Sequence, residues 1–386
     1  MKRQRVCVIS TIATPLRVFM GPHIKALAEQ HDVVLVCDGT PEELGTLLGE
    51  HVSFVACPIR RDIALYEDLR CLLWLWRFIR RGRFAAVHTI MPKSGLLGML
   101  AAKLGATPHR FHSFTGQVWA TKTGGMRRVL KLMDKLLATC ASRLLTDSPS
   151  QMHFLVEQGI TKPEDIEVLA HGSICGVDTA RFKPNIEKRT AIRSAMGIGQ
   201  DAVVFLFVGR VNVDKGIAEL LAAFNAVATE LENAHLMIIG PEEEDLEVPI
   251  AHAKRDTGGR VHRIGFTERP EDYMATADIF CLPSHREGFG TVIIEAAAAG
   301  VPAIASRIYG VSDAVIDGST GMLHAVKDVG AIASLMKQLA TDRTLRVRLG
   351  EAAQQRARDD FSQDSVVRAM MTFYDRQGVS DARPNA

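Results

Sequence analysis

The stretch Pro283-Ser-His-Arg-Glu-Gly-Phe-Gly-Thr-Val-Ile-Ile-Glu-Ala-Ala-Ala-Ala-Gly-Val-Pro302 decides how this chain is read. Ile279-Phe280-Cys281-Leu282, just before it, has the apolar composition of a buried strand. The alanine-rich run after Gly290 has the composition of a helix. Strand, glycine-rich turn and helix therefore follow one another. Glycine lets a backbone come close to a ligand, and the first N–H groups of a helix lack internal partners and can face an anion. Glu287 falls on the turn and Glu295 about a turn and a half into the helix. At about 1.5 Å rise per residue, the two carboxylates could grip points on the order of 10 Å apart. That suits an extended ligand with a phosphate in the middle and hydroxyls at both ends, the shape of a nucleotide sugar. An ordinary strand–turn–helix with two solvated glutamates remains the plain alternative.

Glu287 and Glu295, with Gly288-Phe289-Gly290 between them, resemble the E-x7-E motif of retaining glycosyltransferases of family 4. The resemblance implies the GT-B fold. That is an α/β architecture of two Rossmann-like parallel-sheet domains facing a central cleft, with a C-terminal helix crossing back to the first domain. It also implies that Gly288, Phe289, Gly290 and Thr291 line the donor site, that Glu287 binds hydroxyls of the donor sugar and that Glu295 holds the ribose.

With 386 residues, 47% hydrophobic and 23% charged, the chain has the length of two ordinary domains. Its seven cysteines are dispersed and form no C-x-x-C pair, which reads as buried thiols in a reducing compartment rather than a disulfide framework or zinc site. The apolar run after Met1-Lys-Arg-Gln-Arg5 is short and soon meets Pro15 and Arg17, so a first strand is expected rather than a signal peptide. No run approaches the roughly 18 apolar residues of a membrane span. The expected location is the cytoplasm, at the inner face of the plasma membrane.

The net charge of +2 hides an asymmetry. Residues 1–185 carry 24 Lys and Arg against 16 Asp and Glu, and residues 51–135 carry 15 against 4. A basic first half suggests an anionic partner. Two stretches concentrate it. In Leu69–Arg83, Trp74 and Trp76 lie among Arg70, Arg77, Arg80, Arg81 and Arg83; in Gly125–Leu137, Arg127, Arg128, Lys131 and Lys135 share an amphipathic pattern. Such helices can rest on anionic headgroups, or pack on a core with a solvated basic back. Membrane contact is expected from the pair, and nucleic acid is not.

In the first half, short β-rich runs (6–10, 33–37, 52–56, 85–89, 110–113, 144–147) alternate with helical patterns near 22–30, 65–80, 93–104, 125–141 and 149–158, arguing for a parallel sheet covered by helices. Ligands then bind outside the carboxyl ends of strands. The loop from Thr11 to Pro22 lacks a dinucleotide fingerprint. In the resembled family this loop reaches the acceptor, which nominates Thr11, Thr14 and Arg17. His88-Thr-Ile-Met-Pro-Lys-Ser-Gly-Leu-Leu-Gly98 resembles a segment of enzymes acting on polyprenyl-diphosphate-linked acceptors. Relatives often carry His-Gly after the next strand. Here Thr115 precedes Gly116, and His112 is the nearest imidazole. His112, nominated as catalytic, and Lys93, Thr115 and Gln117 are therefore the candidates for the acceptor side.

His171-Gly-Ser-Ile-Cys-Gly-Val-Asp-Thr-Ala-Arg-Phe182 resembles the family's interdomain link, giving expected domains of 1–180 for the acceptor and 181–360 for the donor, with 361–386 as crossover helix and tail. The tail is read as disordered from Gly378. In the second half, Gly209-Arg210 and Lys215-Gly216 resemble the family's G-R-x4-K-G, in which Arg and Lys hold the donor diphosphate. A guanidinium fork and an ammonium on a strand-to-helix loop suit that task, although two solvated cations would look the same. Gly265-Phe266-Thr267 matches a loop that packs on the nucleotide base. The acidic run Glu242–Asp245 reads as solvated surface.

No D-x-D occurs, so no metal or other cofactor is expected, and Arg210, Lys215 and helix N-termini take over charge neutralisation. The resemblance implies hexosyl or N-acetylhexosaminyl transfer from a nucleotide sugar, with UDP the expected carrier, to a lipid-linked saccharide in polysaccharide or lipopolysaccharide assembly. It implies retention of configuration without a covalent intermediate. The rivals are another GT-B enzyme, such as a nucleotide-sugar epimerase or a glycan phosphorylase, and a catalytically dead membrane-peripheral scaffold.

Overall fold

A computed structural model describes residues 3–60 and 62–379. The chain divides into two compact units. One runs to Cys175 and resumes at Gln363; the other is Gly176–Ser362.

In chain order the first unit contains β1 (Arg5–Ile12), α1 (Ala13–Val18), α2 (Gly21–Gln30), β2 (Asp32–Asp38), α3 (Pro41–Leu44), β3 (Val52–Ala56), α4 (Leu65–Gly82), β4 (Ala86–Ile90), α5 (Pro92–Leu104), β5 (His109–Phe114), α6 (Gly124–Cys140), β6 (Arg143–Thr146), α7 (Pro149–Glu157) and β7 (Ile166–Val168). The second contains α8 (Ile186–Ala195), β8 (Val203–Val208), α9 (Ile217–Ala228), β9 (Ala234–Ile239), α10 (Glu247–Asp256), β10 (Val261–Ile264), α11 (Pro270–Met274), β11 (Ile279–Leu282), α12 (Thr291–Ala298), β12 (Ala303–Ser306), α13 (Val311–Ala314), β13 (Gly321–His324), α14 (Val329–Thr341) and α15 (Arg343–Asp360). α16 (Gln363–Arg376) closes the first unit.

Both sheets are wholly parallel. The first has the order β3-β2-β1-β4-β5-β6-β7 and the second β10-β9-β8-β11-β12-β13. Parallel strands need crossover helices on the faces, so their residues are buried on both sides and read as unbroken apolar runs. Val-Val-Phe-Leu-Phe-Val of β8 and Ile-Phe-Cys-Leu of β11 are such runs. In each sheet the order reverses at one point, between β1 and β4 and between β8 and β11. A crevice opens outside the strand ends at such a switch point.

The first unit has a core on each face of its sheet. One packs α1, α2 and α16, with Met370, Phe373 and Tyr374 of α16 enclosed. The other packs α4, α5, α6 and α7 through Leu75, Ile79, Leu97, Leu137 and Leu155. The second unit forms a single continuous core. All seven cysteines are buried and free.

Several local expectations shift. The segment after β1 is not a loop, because α1 and α2 occupy it. The edge strand β13 (Gly321–His324) was not among the expected strands. At Gly378 and Val379 the chain is ordered: Val379 is fully buried and donates its N–H to the Tyr374 carbonyl at 3.2 Å. The rest of the expected disordered tail, 380–386, lies outside the described residues.

Candidate functional site

In the second unit two loops meet at the switch point, one after β8 and one after β11. Gly216 makes their contact possible. It is left-handed (φ +71°), and a Cβ there would come within 2.2 Å of the Pro283 carbonyl oxygen. No other residue fits both conditions. The loops are then tied by His285 N–H to the Asp214 carbonyl (2.8 Å) and by the Arg286–Asp214 ion pair (3.2 Å). His285 Nε2 also lies 3.0 Å from Glu219 Oε1 on α9. A third loop closes in where Gly310 (φ +80°) lies so near that its Cβ would be 2.2 Å from the Gly288 carbonyl oxygen.

This packing brings Lys215 and Glu287 together. Lys215 Nζ lies 2.5 Å from Glu287 Oε1, and both side chains are largely buried. Ser284 Oγ, fully buried, donates to the same oxygen at 2.8 Å. Sequence reasoning missed Ser284. Its position, just past the strand and three residues before Glu287, was the available signal. Arg210 is held elsewhere: its half-exposed guanidinium pairs with Glu243 Oε2 at 2.6 Å, and Asn212 Nδ2 donates to the same oxygen at 3.0 Å. Glu244 accepts the Val213 N–H at 2.8 Å, and Glu242 accepts the Leu246 N–H at 3.1 Å, just before α10. The acidic run is exposed, as expected from the sequence, and within it Glu243 and Glu244 also latch the β8 loop to the loop after β9, meeting a cationic and a backbone donor there.

Glu295 lies on α12, where burial pushes its carboxyl up to about 8; Arg181 draws it back only in part, and Glu271 opposes that. Arg181 is itself bound to Glu271 at 2.8 Å. Gly290 (φ +80°) is the residue before α12, and Thr291 opens the helix half-exposed. Phe289 does not offer its ring to a ligand. It is 2% exposed and packs at 5.2 Å against Phe361, because an aromatic at that point of the turn faces the core. Phe266, after β10, is 67% exposed. Gly209 follows β8 directly, and its N–H bonds the Ile239 carbonyl at 2.9 Å.

The acceptor candidates all lie in the first unit, at the carboxyl edge of its sheet. Thr11 is buried and donates to Ser94 Oγ at 3.1 Å, while Thr14 and Arg17 are exposed on α1. Lys93 is tied down, pairing with Asp68 at 2.7 Å with only 16% of its side chain exposed. Thr115 is half-buried and Gln117 buried. His112 is not presented to a substrate. Its ring is enclosed, Nδ1 lies 2.8 Å from Thr89 Oγ1, and a Cβ on Gly95 would meet Cε1 at 2.4 Å. Burial drives its pKa down to about 3, so it is a neutral packing residue between sheet and helix. Among the described residues, no three His, Cys, Asp or Glu side chains converge as a metal site, and no helix is long and apolar enough to cross a membrane.

Comparison with known proteins identifies the family. Residues 188–356 fit the family model "Glycosyl transferases group 1", and residues 18–172 fit "Glycosyl transferase 4-like domain". The capsular polysaccharide biosynthesis glycosyltransferase CapM of Staphylococcus aureus is 28% identical over 97% of both chains. A D-inositol 3-phosphate glycosyltransferase of Kribbella flavida is 30% identical over 72% of this chain and 68% of its own. An Escherichia coli UDP-Gal:alpha-D-GlcNAc-diphosphoundecaprenol alpha-1,3-galactosyltransferase is 25% identical over 83% and 82%. Among solved structures, Anabaena HepE, in complex with UDP and glucose, superimposes with a TM-score of 0.80 over 97% of this chain and 100% of its own, at 16% identity.

Proposed function

The chain belongs to the group 1 glycosyl transferases of the GT-B fold, and from that premise we propose that it transfers a hexosyl or N-acetylhexosaminyl group from a UDP-sugar to a polyprenyl-diphosphate-linked saccharide, with retention of configuration, in bacterial polysaccharide or lipopolysaccharide assembly. The observation that carries this reading is the enclosed Lys215–Glu287–Ser284 cluster at the switch point of the second sheet. The UDP-sugar and diphosphoundecaprenol named for the relatives support the choice of donor and acceptor.

The mechanism follows from the charges. The donor's diphosphate takes the Lys215 ammonium and the Arg210 fork, which otherwise rest on Glu287 and Glu243. Negative charge grows on the departing UDP, and these cations stabilise it as it forms. Removing one such group costs about 10²–10³ in rate. The two cations carry the neutralisation without a metal ion. Glu287, steadied by Ser284, binds hydroxyls of the donor sugar. Glu295, whose carboxyl burial pushes up to about 8, hydrogen-bonds the ribose. The acceptor hydroxyl attacks the anomeric carbon on the face the UDP leaves, and the departing phosphate oxygen takes its proton. Glu287 forms no bond to the sugar.

The enzyme works at the cytoplasmic face of the membrane, where such an acceptor is anchored. Two exposed apolar rows in the first unit support this: Leu65, Leu69 and Leu73 on α4, and Met126, Val129, Leu132 and Leu136 on α6, each flanked by exposed Arg or Lys.

Thermal-shift titration with UDP, GDP and ADP, with and without EDTA, tests the donor site. A ligand at about 100 times its Kd adds about 2.7 kcal/mol. The expected result is a shift with UDP that EDTA leaves unchanged and Lys215→Ala abolishes. No shift with any nucleotide refutes the donor assignment. Isolation of a stable glycosyl–Glu287 adduct refutes the single-face mechanism.

A further inference from the structure

The first unit contains a carboxyl that the fold does not use. β6 ends at Thr146, and Asp147 follows. The register Phe114–Thr146–Val168 sets Asp147 level with Thr115 beyond β5 and Leu169 beyond β7, at the carboxyl edge of the sheet. Asp147 is 6% exposed. Its backbone is fully engaged: its N–H donates to Gln151 Oε1 at 2.9 Å, and its carbonyl accepts the Ser173 N–H at 2.6 Å. Its carboxyl has no hydrogen bond and no ion pair among the described residues, and burial alone pushes it up to about 8.

Neighbouring groups are treated differently. Asp134, the other buried carboxyl among the described residues of this unit, accepts Trp119 Nε1–H at 2.7 Å. Around Asp147 the buried amides and hydroxyls are linked: Thr146 Oγ1 donates to Gln151 Oε1 at 2.8 Å, and Gln151 Nε2 donates to Gln117 Oε1 at 3.3 Å. The segment returning past Asp147 holds two non-glycine residues in left-handed conformations, Ala170 (φ +48°) and Ser173 (φ +69°). Strain of this kind persists where surrounding structure over-determines it, and gathers at binding sites. A buried polar group left without a partner lowers stability. Asn or Leu would remove that cost, and strand ends of this type are where α/β folds bind ligands.

We propose that Asp147 binds a hydroxyl of the acceptor saccharide. This rests on the reading of the first unit as the acceptor side. Asp147 then contributes acceptor recognition, level with Thr115 and beside Gln117, and leaves the donor site of the second unit untouched.

The experiment measures initial rates with purified full-length protein, a panel of UDP-glucose, UDP-galactose and UDP-N-acetylglucosamine, and a synthetic N-acetylglucosaminyl-diphosphate lipid as acceptor. Asp147→Leu is expected to raise the acceptor KM about 10-fold or more, the loss of one hydrogen bond to a carboxyl. Asp147→Asn, which keeps one accepting oxygen, falls between it and wild type. The donor KM and the UDP-induced melting shift stay within about two-fold. Both variants melt at or above the wild-type temperature, since a buried unpaired carboxyl has been removed. Stability gained and acceptor affinity lost together would mark a binding residue, because a purely structural Asp would show the reverse. An unchanged acceptor KM in both variants overturns the assignment of Asp147 alone. A wild-type protein that transfers no sugar to the lipid with any donor overturns the acceptor reading, and this inference with it.

Discussion

The Lys215–Glu287 pair shows how one interaction can serve two states. Each group neutralises the other at 2.5 Å, with Ser284 holding the carboxylate in place. Removing one partner of a largely buried pair leaves a charge uncompensated, which costs about 3–5 kcal/mol. Lys215→Ala should therefore both lose UDP binding and lower the melting temperature, whereas Lys215→Ala/Glu287→Gln should regain the stability without the binding. Glu295 makes a pH prediction. The unfolded chain ionises this carboxyl near 4.5, while the folded chain keeps its proton to about 8. Between those values the folded state binds the extra proton, so its contribution to stability is present below 4.5 and is lost as pH rises through about 8. Glu295→Gln should melt above wild type at pH 8.5, and the difference should vanish by pH 4.5. A constant difference across that range would refute the shifted carboxyl. Glu287 and Glu295 were legible from their spacing, and Lys215 from its glycine neighbour. Ser284 and Asp147 were not, because a serine or aspartate at a strand end becomes informative only when its partners, or their absence, can be seen.

At the scale of elements, the loops after β8 and β11 depend on Gly216. Adding a methyl group there imposes left-handed strain and a 2.2 Å contact with the Pro283 carbonyl. Gly216→Ala should lower stability by about 2 kcal/mol or more and abolish UDP binding by moving Lys215 away from Glu287, measured by melting curves and titration calorimetry. The helices α4 and α6 carry the membrane prediction. Their inner faces fill the core with Leu75, Ile79 and Leu137, so their exposed leucines are surplus to folding. Leu69→Glu with Leu132→Glu should abolish flotation with vesicles containing anionic lipid and leave UDP binding intact. Flotation equal to wild type would remove the membrane reading. The basic stretches predicted both helices, but a sequence pattern cannot divide apolar residues between core and surface. Trp76 illustrates the point: it is half-buried and donates Nε1–H to the Leu104 carbonyl at 3.3 Å, whereas Trp74 is 38% exposed.

For the whole molecule, the connectivity makes one unit depend on the far end of the chain. α16 follows the entire second unit in sequence, yet its Val366, Met370, Phe373 and Tyr374 are buried, the last three in the core of the first. Each such side chain contributes about 1.5–3 kcal/mol, together comparable to the whole stability of a domain. Truncation after Ser362 should leave the first unit protease-sensitive while Gly176–Ser362 remains a resistant fragment that still binds UDP. Resistance of both units would contradict this account.

The sequence by itself determined the class of fold, since apolar runs alternating with helical periodicity admit little but parallel sheets with crossover helices. It also nominated the donor-side residues, through a family resemblance carried by local spacings around glycines. Tertiary structure decided everything that depends on what lies across a loop or beneath a helix. It turned an acidic run into a latch for Arg210, enclosed His112 and Phe289 in the core, tied Lys93 to Asp68 and left Asp147 without a partner. The physical reason is that burial and pairing arise between residues distant in sequence. No local pattern records which donor will reach a given carboxylate.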